Sequence, residues 1–171
     1  MKTDVHITRA VSDQDIEAVR ALFLEYAESL GFSLCFQGFD QELASLPGKY
    51  ALPAGCLWLA KASAKPLGVV GLRPLADGYC EMKRLYLRPE ARGLGLGRQL
   101  VEATLEHARR IGYQAMRLDT IKSMSVARAL YQEYGFTEIP AYYHNPLSAV
   151  VYYELALKQP QYGACTSPIS T

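Results

Sequence analysis

The chain has 171 residues, half of them hydrophobic, with a formal net charge of +1. That length suits one compact domain with a buried core, and the even charge balance offers no field to draw nucleic acid or an anionic membrane surface. Cysteines at 35, 56, 80 and 165 form no CxxC pair and no Cys/His set of zinc spacing, and no apolar run approaches the roughly 18 residues of a membrane span. The amino terminus, MKTDVHITRAVSDQD, has no apolar segment of the secretory kind, so free thiols in a reducing, cytoplasmic setting are expected.

His6 to Ala10 reads as a short first strand. Ser12-Asp13-Gln14-Asp15 is a capping-box pattern. Ile16, Val19, Leu22, Phe23, Tyr26 and Leu30 then recur at helical spacing up to Gly31. The stretch FSLCFQGFDQELASLPGKY is less regular, with a short helix over Phe39 to Leu46 closed by Pro47-Gly48. CLWLAKA and PLGVVGL flank Ser63-Ala64-Lys65 as a hairpin, and YCEMKRLYL is a third strand after Asp77-Gly78.

A third helix presents Leu96, Leu100, Val101, Leu105, Ala108 and Ile111 on one face and stops at Gly112. YQAMRLD is a strand. Val126, Ala129, Leu130 and Tyr134 mark another helix, ended by Gly135. FTEIPAYY and AVVYYELAL form a last strand pair around Asn145-Pro146. The order predicts an α/β fold, a mixed (α+β) sheet of six or seven strands with helices on both faces. Only the central strand–helix–strand unit must be a parallel crossover. Residues 1–157 form one domain, and the polar tail 158–171 is expected to be disordered.

Between the third strand and the next helix stands RGLGLGR. Glycine weakens regular structure, so Gly93, Gly95 and Gly97 need a reason. A helix amino terminus exposes unpaired N–H groups and the positive end of its dipole, and a turn without side chains lets those groups converge on an anion. Arg92 and Arg98 flank the turn and add positive charge. A phosphate or pyrophosphate is the natural ligand, and a tight turn that binds nothing is the plain alternative. A dinucleotide GxGxxG would need glycine where Arg98 or Leu100 stands, and a Walker loop would need Lys-Ser/Thr after Gly97, where Arg-Gln follows. Both fail.

Arg92-Gly93-Leu94-Gly95-Leu96-Gly97 fits the pattern Q/R-x-x-G-x-G/A. With EMKRLYLRPEARGLGLGRQLVEATLEHAR around it and ARALYQEYGF over residues 127–136, the chain resembles the GNAT superfamily of acyl-CoA-dependent N-acetyltransferases. The two motifs cover about a third of the chain, residues 81 to 136. One departure is Met124, where many members carry an asparagine that contacts the cofactor arm.

The resemblance implies acetyl-CoA as co-substrate, without a metal, held in a V between two parallel strands. Backbone at Leu85, Tyr86 and Leu87 would pair the pantetheine arm, the Leu85 N–H would polarise the thioester carbonyl, and residues 92 to 98 would hold the pyrophosphate. Glu81 is the implied base and Tyr131 the implied proton donor to the leaving thiolate. Cys80 faces away from Glu81 in an ideal strand, so direct transfer is expected rather than a covalent enzyme intermediate. The partner expected is a small primary amine or amino acid, with no nucleic acid and no membrane. A homodimer is common in the family.

Phe32, Phe36 and His144 are acceptor-side candidates, with Phe39, Tyr142 and Tyr143 beside them. His6 and His107 read as solvated. A non-catalytic acyl-CoA sensor on the same fold is the alternative function.

Overall fold

The computed structural model describes residues 4–158, so the expected disordered tail lies, but for Lys158, outside the described residues. Seven strands are described: β1 Val5–Arg9, β2 Cys56–Ala62, β3 Lys65–Pro74, β4 Tyr79–Leu87, β5 Ala115–Ile121, β6 Thr137–Ile139 and β7 Val150–Ala156. Four α-helices accompany them: α1 Asp13–Ser29, α2 Phe39–Ser45, α3 Leu96–Ile111 and α4 Ser125–Glu133. They form one mixed sheet in the order β1-β2-β3-β4-β5-β7-β6. Only β4 and β5 run parallel, joined through α3; all other neighbours are antiparallel.

Strand alternation sorts side chains to two faces. Cys56 and Ala60 of β2 join one core with Leu96, Leu100, Leu105 and Tyr131, which places α3 and α4 on that face. Leu57 and Leu59 join the other core with Val19, Leu22, Phe23 and Phe39, which places α1 and α2 there. Among the described residues no helix is long and apolar enough to cross a membrane.

Local chemistry sets the ends of these elements. The Ser12 hydroxyl accepts from the Asp15 N–H at 3.1 Å, while the Asp15 carboxylate accepts from Val11, so the cap forms as the sequence suggests. Gly112 ends α3 in a left-handed conformation, φ 99°.

Several expectations change. β5 lies two residues later than YQAMRLD predicts. β6 keeps only Thr137–Ile139, because Pro140 has no N–H to extend the ladder. Ile111 and Val126 are 37% and 85% exposed, so neither belongs to its helix's apolar face.

His107 is buried, not solvated. It packs edge-on against Trp58, ring centroids 6.3 Å apart, and its Nε2 and the Trp58 Nε1 have no hydrogen-bond partner among the described residues. Burial first, and then the Arg9 charge, pushes the imidazole pKa down. A pKa depressed in the folded state adds stability above the unfolded value, near 6.5, and loses it as pH falls through the folded value. Urea unfolding midpoints should therefore be flat above pH 7 and fall on acidification from about pH 6.5. His107→Leu should flatten that slope; an unchanged slope would show that the imidazole carries no such linkage.

Candidate active site

β4 and β5 pair over only three positions, Tyr79↔Ala115, Cys80↔Met116 and Glu81↔Arg117. Beyond Glu81 the two parallel strands part, although β4 continues to Leu87 and β5 to Ile121. The β5-facing edge of Met82–Leu87 thus has no strand partner. Such a row of backbone groups can pair with an extended amide chain.

A bulge in β4 shapes the opening. Val69 pairs with Tyr86 and Gly71 with Lys83, so Val70 faces two residues, Arg84 and Leu85. Arg84 has φ 61°, a left-handed conformation rare for a residue with a side chain. The extra residue puts Lys83 and Arg84, adjacent in sequence, on the same face of the sheet. Lys83 reaches the Asp119 carboxylate at 3.1 Å and the Gln37 side-chain oxygen at 3.4 Å. Arg84 donates to both oxygens of Glu42, at 3.1 and 3.4 Å, and lies 5.1 Å from the Phe39 ring centroid.

The result is a shallow cleft between the parted strands. Phe32, Leu34 and Phe36 form an apolar wall, and Lys83, Asp119 and Asn145 supply polar groups. Phe32 and Phe36 thus share a cleft with Lys83 and Asp119. His144 is exposed and makes no hydrogen bond or ion pair among the described residues, while its neighbour Asn145 lines the cleft.

Asp119 is the cleft carboxylate. Burial raises its pKa, but the Lys83 charge and hydrogen bonds from Tyr143 and Lys83 outweigh that and hold it below its ordinary value. Tyr143 donates to Asp119 at 2.7 Å. Glu81 lies in the row behind, with no exposure. It accepts from Arg73 at 2.8 Å and from the Tyr142 hydroxyl at 2.5 Å, and Lys83 stands 3.9 Å away. The Tyr142 and Tyr143 rings stack edge-on with each other and with Tyr152, fixing the link between β6 and β7 over both carboxylates.

Tyr131 is buried against Phe136 and Tyr153. Its hydroxyl makes no hydrogen bond among the described residues. Burial pushes its pKa up, aided by Tyr26 and Asp119, which both line the cleft. Cys80 belongs to the opposite core, and burial pushes its thiol up to about 12, so it is no nucleophile for this cleft.

The glycine turn adjoins the open end of β4. Gly93 and Gly95 have φ of 76° and 75°, which a side chain would strain. A Cβ at either would meet nothing within 4 Å, so conformation and not crowding requires glycine, and the space before the turn is open. The first backbone bond of α3 runs from the Gln99 N–H to the Gly95 oxygen, which leaves the N–H groups of Leu96, Gly97 and Arg98 without helical partners. These features fit a diphosphate. The flanking arginines differ in posture: Arg92 donates to the Leu87 oxygen at 3.3 Å, whereas Arg98 is ion-paired with Glu133 and packs over Tyr134.

Sequence reasoning singled out the glycine turn and passed over Asp119, Gln37 and Tyr50, which lie outside it. The signal for Asp119 was available, since open α/β sheets place ligands beyond the carboxyl ends of parallel strands, and RLDT ends one of them.

An open mixed sheet, parted between its parallel strands beside a glycine-lined helix terminus, defines the class. The family model described as "Acetyltransferase (GNAT) family" matches residues 17–136. The chain belongs to that family. It is 38% identical to an uncharacterized N-acetyltransferase of Schizosaccharomyces pombe, over 92% of this chain and 98% of that one. It is 30% identical to another from Dictyostelium discoideum, over 85% and 96%. Among solved structures it is similar to a GNAT-family acetyltransferase from Staphylococcus aureus, with a TM-score of 0.75, 20% identity and coverage of 91% and 100%. The PaiA N-acetyltransferase of Thermoplasma acidophilum, solved in complex with coenzyme A, matches with a TM-score of 0.69, 18% identity and coverage of 90% and 99%.

The Lys83–Asp119 pair gives a direct test of the cleft electrostatics. Lys83→Met leaves a buried carboxylate without its cation and should cost about 3–5 kcal/mol. Adding Asp119→Leu should restore most of that, by urea denaturation in a double-mutant cycle. A loss in the double variant equal to the sum of the two single losses would mean that the pair is not coupled.

Proposed function

We propose that the protein transfers the acetyl group of acetyl-CoA directly to a primary amine of a small molecule. The observation that carries this reading is the parting of β4 and β5 beside the glycine turn. Family membership and the coenzyme A complex of the Thermoplasma neighbour support it. Acetyl-CoA supplies an acetyl group activated as a thioester.

Backbone groups of Leu85, Tyr86 and Leu87 pair the extended arm, and the N–H of Leu85 is placed to polarise the thioester carbonyl. The diphosphate is held over residues 92 to 98, with N–H groups of Gly93, Leu94, Gly95, Leu96 and Gly97 available and Arg92 beside them. Arg98 adds charge once it leaves Glu133. Two protons must be handled: one leaves the acceptor ammonium and one goes to the departing sulfur. Tyr131 keeps its proton at physiological pH and is the donor to sulfur. Asp119, anionic in the cleft, holds the ammonium. Glu81 takes the proton through the Tyr142 hydroxyl that donates to it. Phe32 and Phe36 pack the acceptor's apolar part, and the exposed His144 would contact only its outer end.

Free thiol should appear from acetyl-CoA only when an amine is present. Tyr131→Phe should lower kcat by at least about 10²-fold while leaving coenzyme A affinity intact. Gly95→Val should instead weaken coenzyme A binding in calorimetry. Coenzyme A binding with no turnover across a broad amine panel would favour the non-catalytic sensor; no binding at all would overturn both.

A further inference from the structure

A second cavity, of about 260 Å³, opens beside α2. It is lined by Gln37, Gln41, Glu42, Lys49, Tyr50 and Arg73 among others. Gln37 lines both cavities; its side chain faces Lys83 and donates to the Tyr143 hydroxyl in the first. We infer that the second cavity is the carboxylate subsite of the acceptor pocket, so that the acceptor is an amine that also carries a carboxylate. This rests on the transferase reading above.

Three donors with capacity to spare converge there. The Tyr50 hydroxyl is buried and makes no hydrogen bond of ordinary geometry, although Glu42 is close enough to help raise its pKa after burial itself. Arg73 spends Nε and Nη2 on Glu81, while its Nη1 is 4.0 Å from Glu42, beyond hydrogen-bond reach. Lys49 is exposed and has no carboxylate partner among the described residues.

The sheet makes room for this arrangement: a Cβ at Gly71 would come within 2.6 Å of the Tyr50 ring, so glycine lets the ring lie against β3. Glu42 is already held by Arg84 through both oxygens and does not compete for a cation. Arg73 is paired with Glu81 and Glu42 with Arg84, which leaves Lys49, among the described residues, as the one uncompensated charge of the lining. That single net positive charge suits a monoanionic carboxylate better than a doubly charged phosphate. An amine at Asp119 and a carboxylate across Gln37 then define the two ends of one acceptor.

The test uses acceptor pairs of equal carbon count in which a methyl replaces the carboxylate, 5-aminopentanoate against pentylamine and β-alanine against propylamine, at saturating acetyl-CoA. The carboxylated member should show a kcat/KM higher by roughly tenfold or more, as one charged hydrogen bond predicts. Tyr50→Phe, which keeps the ring on Gly71, and Lys49→Ala should each erode that ratio, through KM. Equal use of both members, or a ratio untouched by either variant, overturns the subsite and leaves the transferase reading intact. If no amine is acetylated, the transferase reading fails. Calorimetric titration of 5-aminopentanoate into coenzyme A-loaded protein, wild type against Lys49→Ala, then decides the subsite alone: weaker binding in the variant supports it, and equal or absent binding overturns it.

Discussion

The site depends on the loss of pairing between β4 and β5 after Glu81↔Arg117. Parallel neighbours normally stay in register because each unpaired buried amide is costly. Here the bulge at Arg84 turns β4 away, and side-chain charge takes over where backbone pairing stops. In the last paired row Arg73, Glu81, Arg117 and Glu154 are neighbours across four strands, in alternating sign. Arg73 bonds Glu81 and Arg117 bonds Glu154. One row on, where the backbones have parted, Lys83 still reaches Asp119 across the gap. The left-handed conformation at Arg84 costs roughly 1–2 kcal/mol. Its hydrogen bonds to Glu42 and its contact with Phe39 are of a size to offset that.

The two faces of the sheet divide the labour. Beneath α3 and α4 the core is almost wholly apolar, and Cys80 is kept as an inert thiol within it. Beneath α1 and α2, around the opening, three buried or half-buried ion pairs replace apolar packing: Arg73–Glu81, Lys83–Asp119 and Arg84–Glu42. Such pairs are poor contributors to stability, since desolvation consumes most of their attraction. They do fix polar groups in place before a ligand arrives, which is what a site needs if charge is to be handled without reorganisation.

Much of this was legible in the sequence. The strand–turn–helix from Glu81 to Arg110 reads directly, because its signals are local: an apolar run, left-handed glycines and an amphipathic helix. Cys80 and Glu81 fall on opposite faces as simple alternation predicts. The same rule places Lys83 with Glu81 but misplaces Arg84, because a bulge shifts the phase there and leaves no mark at an arginine. His107 was misread for a related reason: charged neighbours on its own helix suggest solvent, whereas the burial comes from Trp58 on a distant strand. Asp119 escaped notice because its importance is relational. It matters only once Lys83 and Tyr143, distant in the chain, are seen to converge on it.

The truncation of β6 follows from the same constraint. A longer β6 would carry Tyr142 and Tyr143 along the β7 edge, with alternate residues on opposite faces. Pro140 stops the ladder early, and the freed link turns both tyrosines back onto one face. Each donates its hydroxyl to a carboxylate, Glu81 or Asp119, and both rings rest on Tyr152. A segment with few backbone bonds is thereby held mainly by side chains. The gap between β4 and β5 is thus closed over by groups anchored to the very charges that stand in for its missing hydrogen bonds. The polarity of the opening and the order of the acceptor-side wall are two consequences of one break in the sheet.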